Sequence, residues 1–182
     1  MKSTKQLHQS IINACKNNDA KAQMQLYDLY CEAMLTVVNR YVKDTFIAED
    51  IMQEAFIKAF KNMKMYKEEV AFGAWLKRIV INQSIDWLKK KKLEFVAINE
   101  ETTKITADDN WEVETVISYQ EIINCIHKLK DKYSVVLTLF LLEGYDHGEI
   151  SEILGISEST SRTHLLRGKK KVQEQLKAVY NV

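Results

Sequence analysis

The scarcity of proline and glycine is the feature that most constrains the fold of this chain. None of its 182 residues is proline, and only five are glycine. Both residue types are disfavoured inside helices, whereas the turns between β-strands depend on them. A chain with this composition is therefore expected to be all-α.

Apolar residues recur with three- and four-residue spacing in the first half, which predicts amphipathic helices. One series begins at position 26 and ends at 41, and a second begins at 48 and ends at 63. A third helix is predicted from Phe72 toward Lys92, and a short one over residues 4–16. Residues 1–92 are therefore expected to form one helical bundle.

The sequence changes character after this bundle. Residues 93–110, LEFVAINEETTKITADDN, have no helical period and predict an extended acidic linker. Helical spacing resumes at Trp111, so residues 111–182 form the second predicted domain. By sequence count, 93–121 hold 1 Lys or Arg against 8 Asp or Glu, whereas 38–92 hold 12 against 7. The net charge of +1 is therefore the sum of basic and acidic segments, and this total is compatible with a nucleic-acid partner that binds the basic ones.

Other features disfavour several classes of protein. Cys15, Cys31 and Cys125 are widely spaced and odd in number, which favours a reducing, cytoplasmic setting over disulfides or a zinc site. The four histidines form no ligand cluster, so neither a metal nor another cofactor is expected. No apolar run is long enough for membrane insertion, and the N-terminus does not predict a signal peptide.

The stretch EGYDHGEISEILGISESTSRTHLLRGKKK (143–171) has the signals of two helices joined by a tight turn. Asp146 and Glu149 have the spacing of a capping box, so a helix should follow and end near Leu154. Gly155 suits a left-handed turn after that helix. The pattern indicates a helix-turn-helix.

The second helix of this stretch, with Ser157 as its predicted N-cap, presents an outward face suited to a DNA major groove. Arginine can bind guanine bidentately, and threonine or leucine can contact a thymine methyl, while lysines bind phosphates. A plain helical hairpin with a solvated basic face is the alternative. The candidate DNA-binding residues are Ser159, Thr160, Arg162, Thr163, Leu166, Arg167 and Lys170.

An acidic face remains on the helix of residues 48–63 once its apolar series is assigned to the core. Asp50, Gln53, Glu54 and Ile57 share this face, which suggests docking onto a basic partner. From spacing alone, a solvated face on which Glu54 pairs with Lys58 is the preferred explanation.

The helix that begins at Phe72 combines cations with aromatic residues. Aromatic rings stack on unpaired bases and cations follow the phosphates, so a single-stranded nucleic-acid site is one explanation. Phe72 and Trp75 also fit a helix core, which their spacing favours.

These motifs, in this order, resemble those of the extracytoplasmic-function (ECF) group in the sigma-70 family of bacterial RNA polymerase sigma factors. The similarity rests on AEDIMQEAFIKAFKNM (48–63), FGAWLKRIVINQSIDWLKKKK (72–92) and the helix-turn-helix stretch. The resemblance implies a sigma2-type bundle and a sigma4-type helix-turn-helix domain, joined by the acidic linker. It implies no enzyme activity.

The resemblance also implies partners and site residues. Core RNA polymerase would bind Asp50, Gln53, Glu54 and Ile57, and the −35 duplex would bind the outward face of the helix-turn-helix. An anti-sigma factor is a further implied partner. The loop KMYKEEVA (64–71) and the helix after it would hold a base extruded from the melted −10 strand. On that helix the implied contacts are Phe72, Trp75, Lys77, Arg78, Asn82, Asp86 and Lys89.

Two positions depart from the family pattern in the helix-turn-helix. Ser151 and Ser161 stand where apolar residues are usual, which is expected to weaken packing of the DNA-reading helix.

Two rival functions differ in kind from a sigma factor. A stand-alone helix-turn-helix regulator, with a ligand-sensing or dimerising N-terminal bundle, would bind duplex DNA without polymerase. An enzyme using Glu49, Asp50 and Glu54 would need a His or Cys partner, and the sequence places none nearby.

Overall fold

The computed structural model describes residues 7–93 and 117–180. Every regular element in these ranges is helical, which confirms the all-α prediction. The chain divides into two compact units, Met1–Lys91 and Lys92–Val182. Apart from Leu93, the predicted linker lies outside the described residues, as does the helical start predicted at Trp111.

The first unit contains four α-helices in its described part, three of which follow the apolar patterns closely. Asp19 and Asp44 fix two helix starts, because their carboxylates accept hydrogen bonds from backbone N–H groups of the first turn. The elements are α1 (Gln9–Lys16), α2 (Ala20–Val38), α3 (Thr45–Lys61), a 3-10 turn (Met63–Met65) and α4 (Phe72–Leu93).

The core of the first unit comes from the inward faces of these helices. Leu26, Phe56, Phe72 and Leu76 are at most 2% exposed, and burying a side chain of this size stabilises the fold by about 1.5–3 kcal/mol. The apolar series on α2 is only partly core, since Leu29 is 48% exposed. Spacing identifies this helix correctly but overestimates the width of its buried stripe.

The second unit packs α8 against the other helices of its described part. Its elements are α5 (Tyr119–Lys128), α6 (Asp131–Leu137), a π-helical segment (Thr138–Leu142), α7 (His147–Leu154) and α8 (Glu158–Tyr180). Fully buried Leu137, Leu139 and Ile150 form the centre of its core. The helical spacing predicted for this domain is present in its described part, where α6 is followed by the π-helical segment.

Gly168 lets α8 approach α6 closely. A Cβ at this position would lie 2.7 Å from Leu137 Cδ1 and 3.5 Å from Tyr133 Cβ, and the fully packed core leaves Leu137 little room to move. We expect Gly168→Val to lower the free energy of unfolding of the second unit by about 1–3 kcal/mol through overpacking. Urea unfolding measures this, with Ser159→Val at an exposed site of α8 as the control. Equal stability of both variants would contradict the close approach.

Candidate nucleic-acid and partner interfaces

The acidic face predicted on α3 is solvent-facing in the structure. Asp50, Gln53 and Glu54 are exposed, and Ile57 has 52% of its surface exposed. The opposite side of the helix, which includes Ala55 and Phe56, is buried in the core. The three-four spacing therefore brings all four candidate residues together on one accessible surface.

An apolar groove of about 420 Å³ lies between α2 and α3, beside this acidic face. Gln53 and Ile57 contribute to it from α3, and Met24 and Tyr27 from α2. Met24 and Tyr27 lie outside the apolar series used to predict α2, so sequence reasoning missed that side of the groove. The combined surface, hereafter the α2–α3 groove, has an apolar floor and an acidic border.

Glu54 also links α3 to α4. Its Oε2 atom accepts a hydrogen bond of 2.8 Å from Gln83 Nε2. Gln83 follows Asn82, a candidate DNA-binding residue, so the bond connects the helix of the acidic face to the helix of the basic face. Sequence spacing could not reveal this contact, because it joins residues 29 positions apart.

The polar face of α4 is accessible along most of its length. Arg78, Asn82, Asp86 and Lys89 are exposed, while Lys77 is half-buried. Cations at both ends of the face could follow the phosphates of a strand, and Asn82 offers both donor and acceptor atoms.

Of the two aromatic residues at the start of α4, one is buried and the other is partly accessible. Phe72 is 1% exposed, and its ring centroid lies 5.3 Å from that of Tyr30 and 5.5 Å from that of Tyr66. Trp75 is half-buried and lies three residues before Arg78, on the same side of the helix. Phe72 is therefore a core residue, and base stacking is available to Trp75 alone of these two.

The loop before α4 contains a buried side chain and an internal hydrogen bond despite its polar sequence. Tyr66 is 2% exposed, and its hydroxyl donates a 2.7 Å hydrogen bond to the Val70 carbonyl. Glu68 has a φ of 61°, in the left-handed region. Both residues lie in the 64–71 loop that the family resemblance links to the −10 strand, but nothing in the local sequence pattern gives either one a role of its own.

The helix-turn-helix forms as its sequence signals predict. Asp146 and Glu149 make both hydrogen bonds of the capping box at the start of α7, and α7 ends at Leu154. Gly155 has a φ of 69°, the left-handed conformation that glycine tolerates best. Ser157 Oγ accepts the Thr160 N–H at the start of α8.

A polar contact joins the two helices of this motif where the family pattern predicts apolar packing. Ser161 is fully buried, and its hydroxyl lies 2.8 Å from His147 Nδ1. The His147 ring also stacks on Phe140, at 4.8 Å between centroids. Burial first, and then the charge of Arg162, lower the pKa of His147 below its ordinary value. The Ser161 hydroxyl is thus satisfied, which removes most of the penalty of burying it.

Most of the predicted DNA-reading residues on α8 face solvent together. Ser159, Arg162, Thr163, Leu166 and Lys170 are exposed, whereas Thr160 and Arg167 are half-buried. Thr160 donates its backbone N–H to Ser157 and makes a 2.8 Å contact with the Ser157 hydroxyl. Its hydroxyl is therefore engaged at the helix start, while the exposed residues are free of the core.

Arg162 pairs with Glu158 one turn earlier on α8, at 3.1 Å between Nη2 and Oε2. The two side chains are 64% and 55% exposed. An exposed pair of this kind contributes at most about 1 kcal/mol, so a DNA ligand could displace Glu158 at low cost.

Arg167 is one of the cations that influence Tyr133 of α6. Burial alone would raise the pKa of the Tyr133 phenol, but the charge of Lys132 and the hydrogen bond with Arg167 outweigh it and lower the pKa. The Tyr133 ring also packs edge-on against His164, at 5.5 Å between centroids. Arg167 itself is half-buried, at the border between the core and the outward face.

Two further observations concern other kinds of site. Across residues 7–93 and 117–180, no group of three or more His, Cys, Asp or Glu side chains could hold a metal ion. None of the described helices combines the length and apolar character needed to cross a membrane.

Comparisons with known proteins give a consistent result over both units. Residues 26–94 match the family described as Sigma-70 region 2, and residues 119–172 match Sigma-70, region 4. The chain is 34% identical over 178 residues to the ECF RNA polymerase sigma factor SigW of Bacillus subtilis, covering 91% of this chain and 95% of SigW. It is 27% identical over 179 residues to the ECF RNA polymerase sigma-E factor of Haemophilus influenzae, covering 92% and 94% of the two chains.

The solved structures that share the fold include two complexes. One is the sigma factor RpoE in complex with the anti-sigma factor NepR from Bartonella quintana, with a TM-score of 0.55, 19% identity, and coverage of 85% of this chain and 96% of that one. The other is CnrH in complex with the cytosolic domain of CnrY, with a TM-score of 0.53, 18% identity, and coverage of 93% and 96%.

Proposed function

Because the chain belongs to the extracytoplasmic-function sigma factors of the sigma-70 family, we propose that each exposed surface described above serves one step of promoter-specific transcription initiation. The observation that carries this proposal is that one chain combines an exposed acidic surface on α3 with two helices, α4 and α8, whose exposed faces carry cations. The chain contributes binding energy and selectivity, and the polymerase to which it binds performs the chemistry in the cytoplasm.

The first step is binding to core RNA polymerase through the α2–α3 groove and its acidic border. An apolar floor supplies affinity through burial, and the carboxylates of Asp50 and Glu54 select a basic partner surface. Ile57, half exposed in the free chain, would become buried in the complex. A helical partner segment with basic residues beside an apolar stripe fits this groove.

The second step is recognition of the −35 duplex by α8. The helix enters the major groove with Arg162, Thr163 and Leu166 directed at base edges. Lys170 and its neighbours Lys169 and Lys171 bind phosphates, which fix the helix in register without reading sequence.

The third step is capture of the melted −10 strand by α4 and the loop before it. Extruding a base from the duplex costs a few kcal/mol, so the open strand must be held by protein contacts. Trp75 offers a stacking surface, while Arg78 and Lys89 follow the phosphates and Asn82 contacts a base edge. Because both DNA-binding units are carried by one polymerase, modest affinities combine into a tight complex.

An anti-sigma factor is a further proposed partner. The structurally similar RpoE and CnrH were both solved with a second protein, which is named an anti-sigma factor in the case of RpoE. The exposed groove and acidic border give such a protein a surface by which it could block access to polymerase.

A gel-shift experiment separates this function from that of a stand-alone regulator. A promoter duplex is mixed with the chain alone, with core polymerase alone, and with both. We expect a tight, sequence-dependent complex only when both proteins are present. Tight binding by the chain alone, on a palindromic duplex, would instead favour the stand-alone regulator.

The Arg162→Ala variant tests the reading helix. We expect a loss of about 1–3 kcal/mol in promoter binding by the holoenzyme, confined to one −35 position. Lys170→Ala should weaken binding uniformly across −35 sequences, because it removes a phosphate contact. Affinities measured on a panel of single-base −35 variants distinguish the two patterns, and a uniform loss with Arg162→Ala would make Arg162 a phosphate contact.

A further inference from the structure

The loop that joins the 3-10 turn to α4 holds one residue in an uncommon backbone conformation. Glu68 has a φ of 61°, a region that residues other than glycine rarely occupy unless the surroundings hold them there. The loop leads directly into α4, which carries the half-buried Trp75. Contacts from outside the loop are therefore expected to hold Glu68 in this conformation.

The contacts that hold Glu68 come from α1. Lys16 Nζ lies 2.6 Å from Glu68 Oε1, and Gln9 Nε2 donates to the same oxygen at 3.1 Å. Gln9 and Lys16 are seven residues apart, hence two turns apart on one face of α1. The side chains of Lys16 and Glu68 are each only 27% exposed, so this charge-assisted bond is less screened by water than a surface pair.

Tyr66 joins the two ends of the same loop. Its hydroxyl donates to the Val70 carbonyl, and its ring lies 5.2 Å from Trp75, between centroids. Lys16 Nζ also lies 5.6 Å from the centroid of the Tyr66 ring. Lys16 therefore contacts both the strained residue of the loop and the aromatic residue that packs on Trp75.

We propose that Glu68, held by Lys16 and Gln9, is a positioning residue that keeps the 66–71 loop and Trp75 in the shape that receives an unpaired promoter base. This inference rests on the proposed −10 function. If Glu68 has this role, α1 takes part in promoter opening, although α1 lies outside the residues that match Sigma-70 region 2. The hydrogen bond from Lys16, followed by that from Gln9, lowers the pKa of Glu68, so its carboxylate stays charged around neutral pH.

The test uses holoenzyme assembled from core polymerase and full-length variants. Lys16→Met removes the charge but keeps the side-chain stem, and Glu68→Gln removes the charge at nearly constant shape. Lys16→Glu combined with Glu68→Lys restores the pair in reverse. Lys21→Met, at an exposed site on α2, is the matched control. The probes are a fluorescent single-stranded oligonucleotide with the −10 non-template sequence and a −35 duplex of the same promoter.

We expect Lys16→Met and Glu68→Gln each to weaken binding of the single-stranded probe by about fivefold to thirtyfold. This is the effect expected when a loop loses one charged hydrogen bond that preorganises it for its ligand. The charge swap should recover most of this loss. The affinity of the variants for core polymerase and for the −35 duplex should not change. If Glu68 had only a structural role, the variants would have a lower unfolding midpoint. At a temperature where they are still folded, they would bind the single-stranded probe as the wild type does.

Two outcomes would overturn the inference in different ways. If wild-type holoenzyme binds the single-stranded probe and the variants bind it equally well, Glu68 does not position the loop, although the proposed function stands. If wild-type holoenzyme does not bind the probe, the −10 function itself fails. Glu68→Gly covers the case of poor folding, because glycine adopts this φ without strain yet lacks the carboxylate; it should weaken probe binding as Glu68→Gln does.

Discussion

Replacing Phe72 by alanine is expected to lower the free energy of unfolding of the first unit by about 3–5 kcal/mol, the usual cost of truncating a buried phenylalanine. Phe72 is 1% exposed, and its ring contacts Tyr30, Tyr66 and Trp75 at centroid distances of 5.3, 5.5 and 5.7 Å. Its removal leaves a cavity that these rigid rings cannot fill. A loss of this size is a large part of the 5–15 kcal/mol that stabilises a typical domain.

Urea unfolding in a Trp111→Phe background measures this effect, because the two remaining tryptophans, Trp75 and Trp87, both lie in the first unit. Phe46→Ala is the matched control: Phe46 is 80% exposed, and its truncation should change stability by no more than about 0.5 kcal/mol. Equal losses for both variants would contradict the core position of Phe72.

Reversing the charge of Asp50 is expected to weaken binding to core RNA polymerase by about tenfold to a hundredfold, or roughly 1.4–2.8 kcal/mol. Asp50 is exposed beside the α2–α3 groove, so a lysine there meets a basic partner surface with like charge. The fold should be unaffected, since the side chain makes no contribution to the core.

Fluorescence anisotropy of labelled chain titrated with core polymerase gives the affinity of Asp50→Lys. Glu32→Lys makes the same change of charge at an exposed site of α2 that does not line the groove, and it should bind with wild-type affinity. Wild-type affinity for Asp50→Lys would remove the acidic face from the docking surface. Losses of equal size for both variants would point to net charge rather than to this surface.

Features that depend on neighbouring residues were predictable from the sequence. The start and end of α7 follow from the capping box of Asp146 and Glu149 and from the left-handed turn at Gly155, and all three act over at most a few residues. The exposure of the acidic face of α3 and of the Arg162 face of α8 likewise follows from helical periodicity, because a helix that buries one side must present the other to solvent.

Features that depend on tertiary contacts were beyond the sequence. Glu68 lies 52 residues from Lys16 and Glu54 lies 29 residues from Gln83, and no local pattern links the members of either pair. Periodicity favoured a core position for both Phe72 and Trp75, but it could not show that Phe72 is buried while Trp75 is only half-buried. Ser161 looked unfavourable in isolation, since its partner His147 lies on the preceding helix.

The central claim is that this chain directs polymerase to promoters of its own. Transcription in vitro with purified core RNA polymerase, followed by mapping of the RNA 5′ ends on genomic DNA, tests it most directly. With the chain present, we expect new start sites preceded by a shared pair of −35 and −10 sequences, and Asp50→Lys should reduce them together. The same start sites with and without the chain would contradict the claim.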